Sequence, residues 1–209
     1  LRHCLRLAAL AGIIGPMLLA ATIIVLTRLQ LPFLRSLGWD PIAAPTVDWP
    51  SGLALGPYGG WMIGAFVVCG ALLAVFAAGL EHGIAAGSPW GPRLLALAGA
   101  CLALLAFKVD PSFVPTPRTV WGDIHDSAYM ALGLTLLPGM LLLAARFGRD
   151  RRWRGHRLYT VATVLVAAPA FALKGMLVYV FLGSLLAWFV ATALRLSTIR
   201  ATNRTRINE

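Results

Sequence analysis

Charge is scarce in this sequence, and negative charge is scarcest. Only 12% of the 209 residues are charged, and eight are acidic. A soluble domain carries about 25% charged residues, so an ordinary solvated globular surface is excluded. Cysteines number three, Cys4, Cys69 and Cys101. Two lie in apolar runs and their spacing suits neither a disulfide framework nor a metal. Histidines number four, with no pair placed for two-sided haem ligation. No Gly-x-Ser-x-Gly elbow and no glycine-rich phosphate loop occurs. The net charge is +10, yet no zinc-finger spacing or aromatic–basic alternation accompanies it, so nucleic acid is not the expected partner.

Long apolar runs are what the chain has instead: 59% of its residues are hydrophobic. A helix rises about 1.5 Å per residue, so some 20 apolar residues cross the ~30 Å bilayer core. Six blocks meet or approach that length: about 7–26, 59–80, 93–109, 127–145, 158–173 and 176–194. The third is short and relies on Arg93 and Lys108 extending along their stems to the interface. The last two divide a long run at Pro169 and Lys174-Gly175. The basic start followed by the first block has the shape of a secretory signal, but its length and the following Thr27-Arg28-Leu29-Gln30 favour a retained helix. The expectation is an all-α integral membrane protein, a single six-transmembrane-helix bundle over residues 1–196 with a flexible basic tail at 197–209.

Most cations fall on one side of such a bundle. Six spans collect the two ends, loop 81–93 and the arginine-rich loop 146–157 together, and leave only Arg28, Arg35, Lys108, Arg118 and Lys174 opposite. The positive-inside rule then puts both termini in the cytoplasm of a cell-membrane protein. The basic ends also suit contact with anionic headgroups of the lipid bilayer.

One polar stretch, Lys108 to Asp126, interrupts the apolar chain on the outer side. It holds Asp110, Asp123, His125 and Asp126, with three prolines between Pro111 and Pro117. Two readings stay open. In one, Asp123 is the N-cap of the fourth helix and Asp126 a first-turn acid, where orphan N–H groups and the helix dipole favour negative charge. In the other, Asp123, His125 and Asp126 form an acid–base group at the mouth of a cavity. Asp110, Trp121, Tyr129 and Lys174 are then the candidate substrate-binding residues. Carboxylates plus one imidazole also give a weaker metal reading over Asp110, Asp123, His125 and Asp126. Lys174 reads either as an interfacial lysine or as a counter-charge.

Several short motifs share an order with a known family. They are Gly12-Ile-Ile-Gly-Pro16, Gly56-Pro57-Tyr58-Gly59-Gly60-Trp61, Phe66 with Gly70, Trp90-Gly-Pro92, Asp110-Pro111, Gly122-x-x-His125-Asp126 and Arg146-Phe147. In these the chain resembles the six-span bacterial membrane proteins catalogued as domain of unknown function 998, grouped with the DRAM-like superfamily. The resemblance implies six helices and a membrane location. It implies no activity, cofactor or substrate.

The function expected from the residues is binding or modification of a hydrophobic small molecule or lipid through the outer-face Asp/His pocket. Acid-initiated cyclisation of an isoprenoid is one concrete form, because it needs an acid, an aromatic pocket and no cofactor. The alternative is a non-catalytic scaffold or accessory subunit with a protein partner.

Overall fold

The computed structural model describes residues 2–45, 48–85 and 87–205, with side chains described for residues 3–199 of these. The described residues form six α-helices and no strand: α1 (Arg2–Ser36), α2 (Gly59–Gly83), α3 (Trp90–Leu104), α4 (Val120–Arg149), α5 (His156–Leu173) and α6 (Val178–Thr205). Five are long and apolar enough to cross a membrane, and α3 is a shorter apolar helix. Only 28–44% of the apolar windows of the five is buried within the protein. Surface that apolar needs a hydrocarbon environment, so this is a helical membrane protein. Trp61 and Trp121 at one end and Trp90 at the other are exposed, where indoles favour the headgroup level.

Four helices depart from the expected blocks. α3 runs Trp90–Leu104 and not 93–109, since Pro92 is tolerated in a first helical turn and the chain leaves the helix at Leu105, short of Lys108. α1 continues past Leu26 to Ser36 because Leu26, Gln30 and Leu34 stay on one buried face. The Gln30 amide makes a polar residue fit there: Nε2 donates to Leu53 O at 3.1 Å, and Oε1 accepts from Tyr58 N at 3.2 Å. α4 starts at Val120, so His125 and its neighbours lie on a helix. α6 carries on through much of the expected tail, to Thr205; residues 206–209 lie outside the described residues.

Each helix packs on its chain neighbours, and α6 returns to α1, which closes the six into a ring. Between apolar helices in lipid the driving force is close packing, so small residues sit at the crossings. A Cβ on Gly70 would fall 2.4 Å from Gly99 O, and one on Gly99 would fall 2.5 Å from Gly70 O. The backbones of α2 and α3 therefore touch. Gly91 and Gly139 bring α3 and α4 together in the same way. Side-chain bonds add to this between α5 and α6, where Trp188 Nε1 donates to Thr160 Oγ1 at 2.9 Å.

The helices alternate in direction, so both chain ends lie at one end of the ring. There Arg146 donates to Glu81 O and Ile84 O at 3.1 and 2.7 Å, and Arg195 donates to Arg152 O. At the opposite end the α1–α2 connection folds across the opening. Trp39 stacks on Phe113 with centroids 4.7 Å apart, Asp48 Oδ2 accepts from Ser112 N at 2.5 Å, and Tyr179 Oη donates to Pro41 O at 2.8 Å. A lid of loop thus joins α1 to the α3–α4 connection and to α6.

Candidate functional site

The polar stretch at this lidded end is organised by the start of α4. Pro115 and Pro117 keep the approach non-helical. Thr119 is then extended, and its Oγ1 accepts from Gly122 N at 3.0 Å. The N-cap is therefore Thr119 and not Asp123, because the helix begins four residues earlier than an Asp123 cap requires. Asp110 holds this cap in turn. Its Oδ2 accepts from Thr119 N and its Oδ1 from Thr119 Oγ1, both at 2.7 Å. The backbone N–H of Thr119, then its hydroxyl, pull the Asp110 carboxyl below its ordinary range by stabilising the charged form. A Cβ on Gly122 would fall 2.1 Å from Asp110 Oδ2, so glycine makes room for the carboxylate.

Asp123 and Asp126 share the exposed face of α4 and one partner. Arg118 donates to Asp123 Oδ1 from Nε at 3.0 Å and from Nη2 at 2.7 Å, and to Asp126 Oδ2 from Nη2 at 2.9 Å. The hydrogen bonds to Asp123, then Asp126, push the Arg118 guanidinium further up. Asp123 points away from the centre of the ring.

His125 turns the other way and is 3% exposed. Its Nδ1 lies 2.6 Å from Phe107 O. A carbonyl only accepts, so Nδ1 carries the proton, and in the neutral ring Nε2 is left as an acceptor. The ring lines a cavity of about 90 Å³ inside the helix ring, beneath the lid. Asp126, Tyr129, Lys174, Asp48, Trp49 and Ser51 line it as well, above apolar walls that include Phe66, Leu105 and Phe181. Lys174 Nζ lies 5.0 Å from the Tyr129 ring centroid, a cation–π contact. It is placed there by the break between α5 and α6, where Lys174 and Gly175 have φ of 54° and 56°.

Trp49 supplies a further feature. It is 7% exposed, and its Nε1–H has no acceptor among the described residues. Trp39 and Trp153 share that property, but neither lines this cavity. A buried indole N–H facing no acceptor costs free energy unless something else accepts its hydrogen bond.

Of the residues the sequence singles out, the fold brings His125, Asp126, Tyr129 and Lys174 together on the cavity. Asp110, Asp123 and Trp121 do not line it. Asp110 holds the Thr119 cap, Asp123 pairs with Arg118, and Trp121 stacks on Phe107 with centroids 5.3 Å apart. Asp48, Trp49 and Ser51 line it although sequence reasoning does not name them as site residues. The available signal was an acid between apolar residues in the long first loop, in Asp48-Trp49-Pro50. Among the described residues no three His, Cys, Asp or Glu side chains gather to hold a metal ion.

No curated protein and no solved structure gives a significant match to the chain. The family model described as a protein of unknown function (DUF998) matches residues 13–198. That span reaches into all six helices and includes every residue lining the cavity, and the chain belongs to the DUF998 family of proteins of unknown function.

Proposed function

We propose that the protein spans the cell membrane six times, with both termini cytoplasmic, and binds a hydrophobic small molecule or lipid from the outer leaflet in the lidded cavity. The single observation that carries the binding is the convergence of His125, Asp126, Asp48 and Lys174 on one apolar-walled cavity beneath the loop lid. Apolar walls with a few convergent polar groups are the usual build of small-molecule sites. Lys174 offers donors, whereas His125 Nε2, Asp48 and Asp126 offer acceptors. A head with oxygen atoms that both donate and accept matches that set.

The orientation rests on the arginines. The end with both chain termini also carries the arginine-rich 146–157 loop, and cationic loops stay in the cytoplasm. α3 spans about 22 Å at 1.5 Å per residue. Its backbone contacts with α2 and α4 carry it alongside two full-length neighbours.

A catalytic version uses the same walls, and the Asp126 carboxyl on the cavity favours it. Asp126 would protonate an isoprenoid double bond, the ring-closed cation would lose a proton to His125 Nε2, and the proton would return to Asp126. No atom or electron is gained or lost. Asp126 must first release Arg118, because the ion pair needs the carboxylate. Binding makes no such demand and is the better supported reading.

The test is to purify the protein with its surrounding lipid in polymer-bounded discs and to extract the discs for mass spectrometry. The expected result is a compound enriched over the bulk membrane. Lys174→Met and His125→Ala should lose it and Asp123→Asn should retain it. Equal extracts from wild type and both cavity variants would sink the proposal and leave a scaffold for a protein partner as the better reading.

A further inference from the structure

The end of the ring opposite the lid carries an open groove of about 930 Å³ over the α4–α5 connection. Arg149, Arg151, Arg154 and Arg157 line it, and all four are exposed. The one acid on its wall, Asp150, is already engaged. Its Oδ1 accepts from Arg152 N and Nε at 3.0 Å, and its Oδ2 accepts from Arg152 Nη2 at 2.7 Å and from Ala85 N at 3.2 Å. The four lining arginines make no ion pair among the described residues. Like charges gathered on one groove repel, and an anion seated among them relieves that repulsion.

The backbone beneath these arginines is pinned. Trp153 is fully buried and stacks on Phe147 with centroids 4.4 Å apart. Arg195 Nε donates to Arg152 O at 3.0 Å. Gly148 leaves room for Arg157, since a Cβ there would fall 2.9 Å from Arg157 Cδ. An arginine of α5 thus lies across the last turn of α4. A site held in place before binding loses less freedom when it is filled.

The lower rim of the groove is apolar. Leu158 and Val161 line it, and Leu165 continues their face of α5 one turn further along. Leu158 is 75% exposed and Leu165 69%, so this strip faces hydrocarbon. Guanidinium groups suit phosphate oxygens, which they can bind in pairs. Cations set beside a hydrocarbon-facing strip fit a molecule with a phosphate head and an acyl chain. A soluble anion would leave the strip unused.

We propose that this groove holds the headgroup of an anionic phospholipid, with its phosphate among the four arginines and an acyl chain along Leu158 and Leu165. The site lies at the far end of the ring from the lidded cavity and does not depend on the reading given to that cavity.

The experiment measures binding of phosphatidylglycerol and of phosphatidylcholine to the purified full chain in detergent by native mass spectrometry. Phosphatidylglycerol should bind at least tenfold more tightly. Each arginine near an anionic headgroup contributes about fivefold, so Arg149→Gln combined with Arg157→Gln should weaken phosphatidylglycerol about 25-fold. The same pair should leave phosphatidylcholine unchanged. Arg151→Gln with Arg154→Gln serves where the first pair fails to fold, as judged by melting temperature. Arg6→Gln with Arg93→Gln removes equal charge from the same end outside the groove and should cost less than about threefold. Equal losses from the groove pair and this control pair, or equal affinity for the two lipids, overturn the site. Glycerol phosphate should fail to displace phosphatidylglycerol at matched concentration. Displacement there would make the occupant a soluble anion and overturn the lipid assignment.

Discussion

His125 gives its Nδ1–H to the carbonyl of Phe107 at 2.6 Å, which ties the start of α4 to the chain just beyond α3. Phe107 lies in the turns that follow Leu104, so its carbonyl has no helical partner of its own. The bond does two things at once. It satisfies a backbone acceptor at the edge of the membrane, and it fixes which imidazole nitrogen faces the cavity.

Replacing that imidazole should therefore cost stability as well as ligand. His125→Ala strands the Phe107 carbonyl and should destabilise by about 1–3 kcal/mol. The readout is the apparent melting temperature of the purified protein, compared with Trp121→Ala, which loses a stacking contact but strands no acceptor.

The Thr119 cap should behave as an ordinary N-cap. Thr119→Ala should cost about 1 kcal/mol and Thr119→Ser much less, since serine keeps the accepting oxygen for Gly122 N. Melting curves of the two variants, run beside wild type, measure the difference.

Asp110 gives this cap a pH dependence with a defined sign. Its carboxyl is lowered from 3.8 in the folded state. A depressed folded value contributes stability that is fully present above the unfolded value and is lost as pH falls through the folded one. Wild type should therefore exceed Asp110→Asn by a constant margin at neutral pH. The margin should shrink only below about pH 4. A margin that changes between pH 5 and 8 would assign the effect to another group.

Asp123 and Asp126 share Arg118 but not the cavity, which separates their roles by experiment. Asp123→Asn should leave both melting temperature and ligand retention close to wild type. Exposed pairs contribute little once solvent screens them. Asp126→Asn removes a charge from the cavity wall and should alter ligand retention at matched membrane abundance.

At the α2–α3 crossing, Gly99→Val should be among the most damaging single changes. Its side chain would enter the backbone of α2 at Gly70, and overpacking of this kind costs about 1–3 kcal/mol or more. Gly64→Ala, where a Cβ meets open space, is the matched control. Detergent-solubilised yield and melting temperature report both.

The proposed topology can be read with introduced cysteines in a Cys4→Ser background. Ser112→Cys should react with a membrane-impermeant maleimide in intact cells, and Arg154→Cys only after lysis. The reverse pattern would invert the bundle.

The membrane class was legible in the sequence because the bilayer imposes a length. Blocks near 20 apolar residues with cations at their ends suffice to place most of α2, α4 and α6. In the sequence the first apolar block ends at Leu26, because Arg28 and Gln30 look like a boundary. Gln30 is buried instead, and its partners at Leu53 and Tyr58 lie more than twenty residues away. The true cap of α4 was hidden for a similar reason. Threonine and aspartate both cap helices, and choosing between them requires the bond from Gly122 to Thr119.

The site divides along the same line. The pattern of residues 123–126 already separated His125 from its flanking acids, because a helix turns about 100° per residue and the two aspartates are three apart. Whether His125 faced lipid, a neighbouring helix or a cavity was not in that pattern. Closing α6 onto α1 made the cavity, and folding the described parts of the α1–α2 connection over it brought Asp48 and Trp49 to a histidine more than seventy positions away. Local chemistry and the bilayer thickness make the apolar middle of each helix legible in the sequence alone. The cavity depends on long-range packing between segments whose sequences carry no sign of each other, so only the tertiary structure decided it.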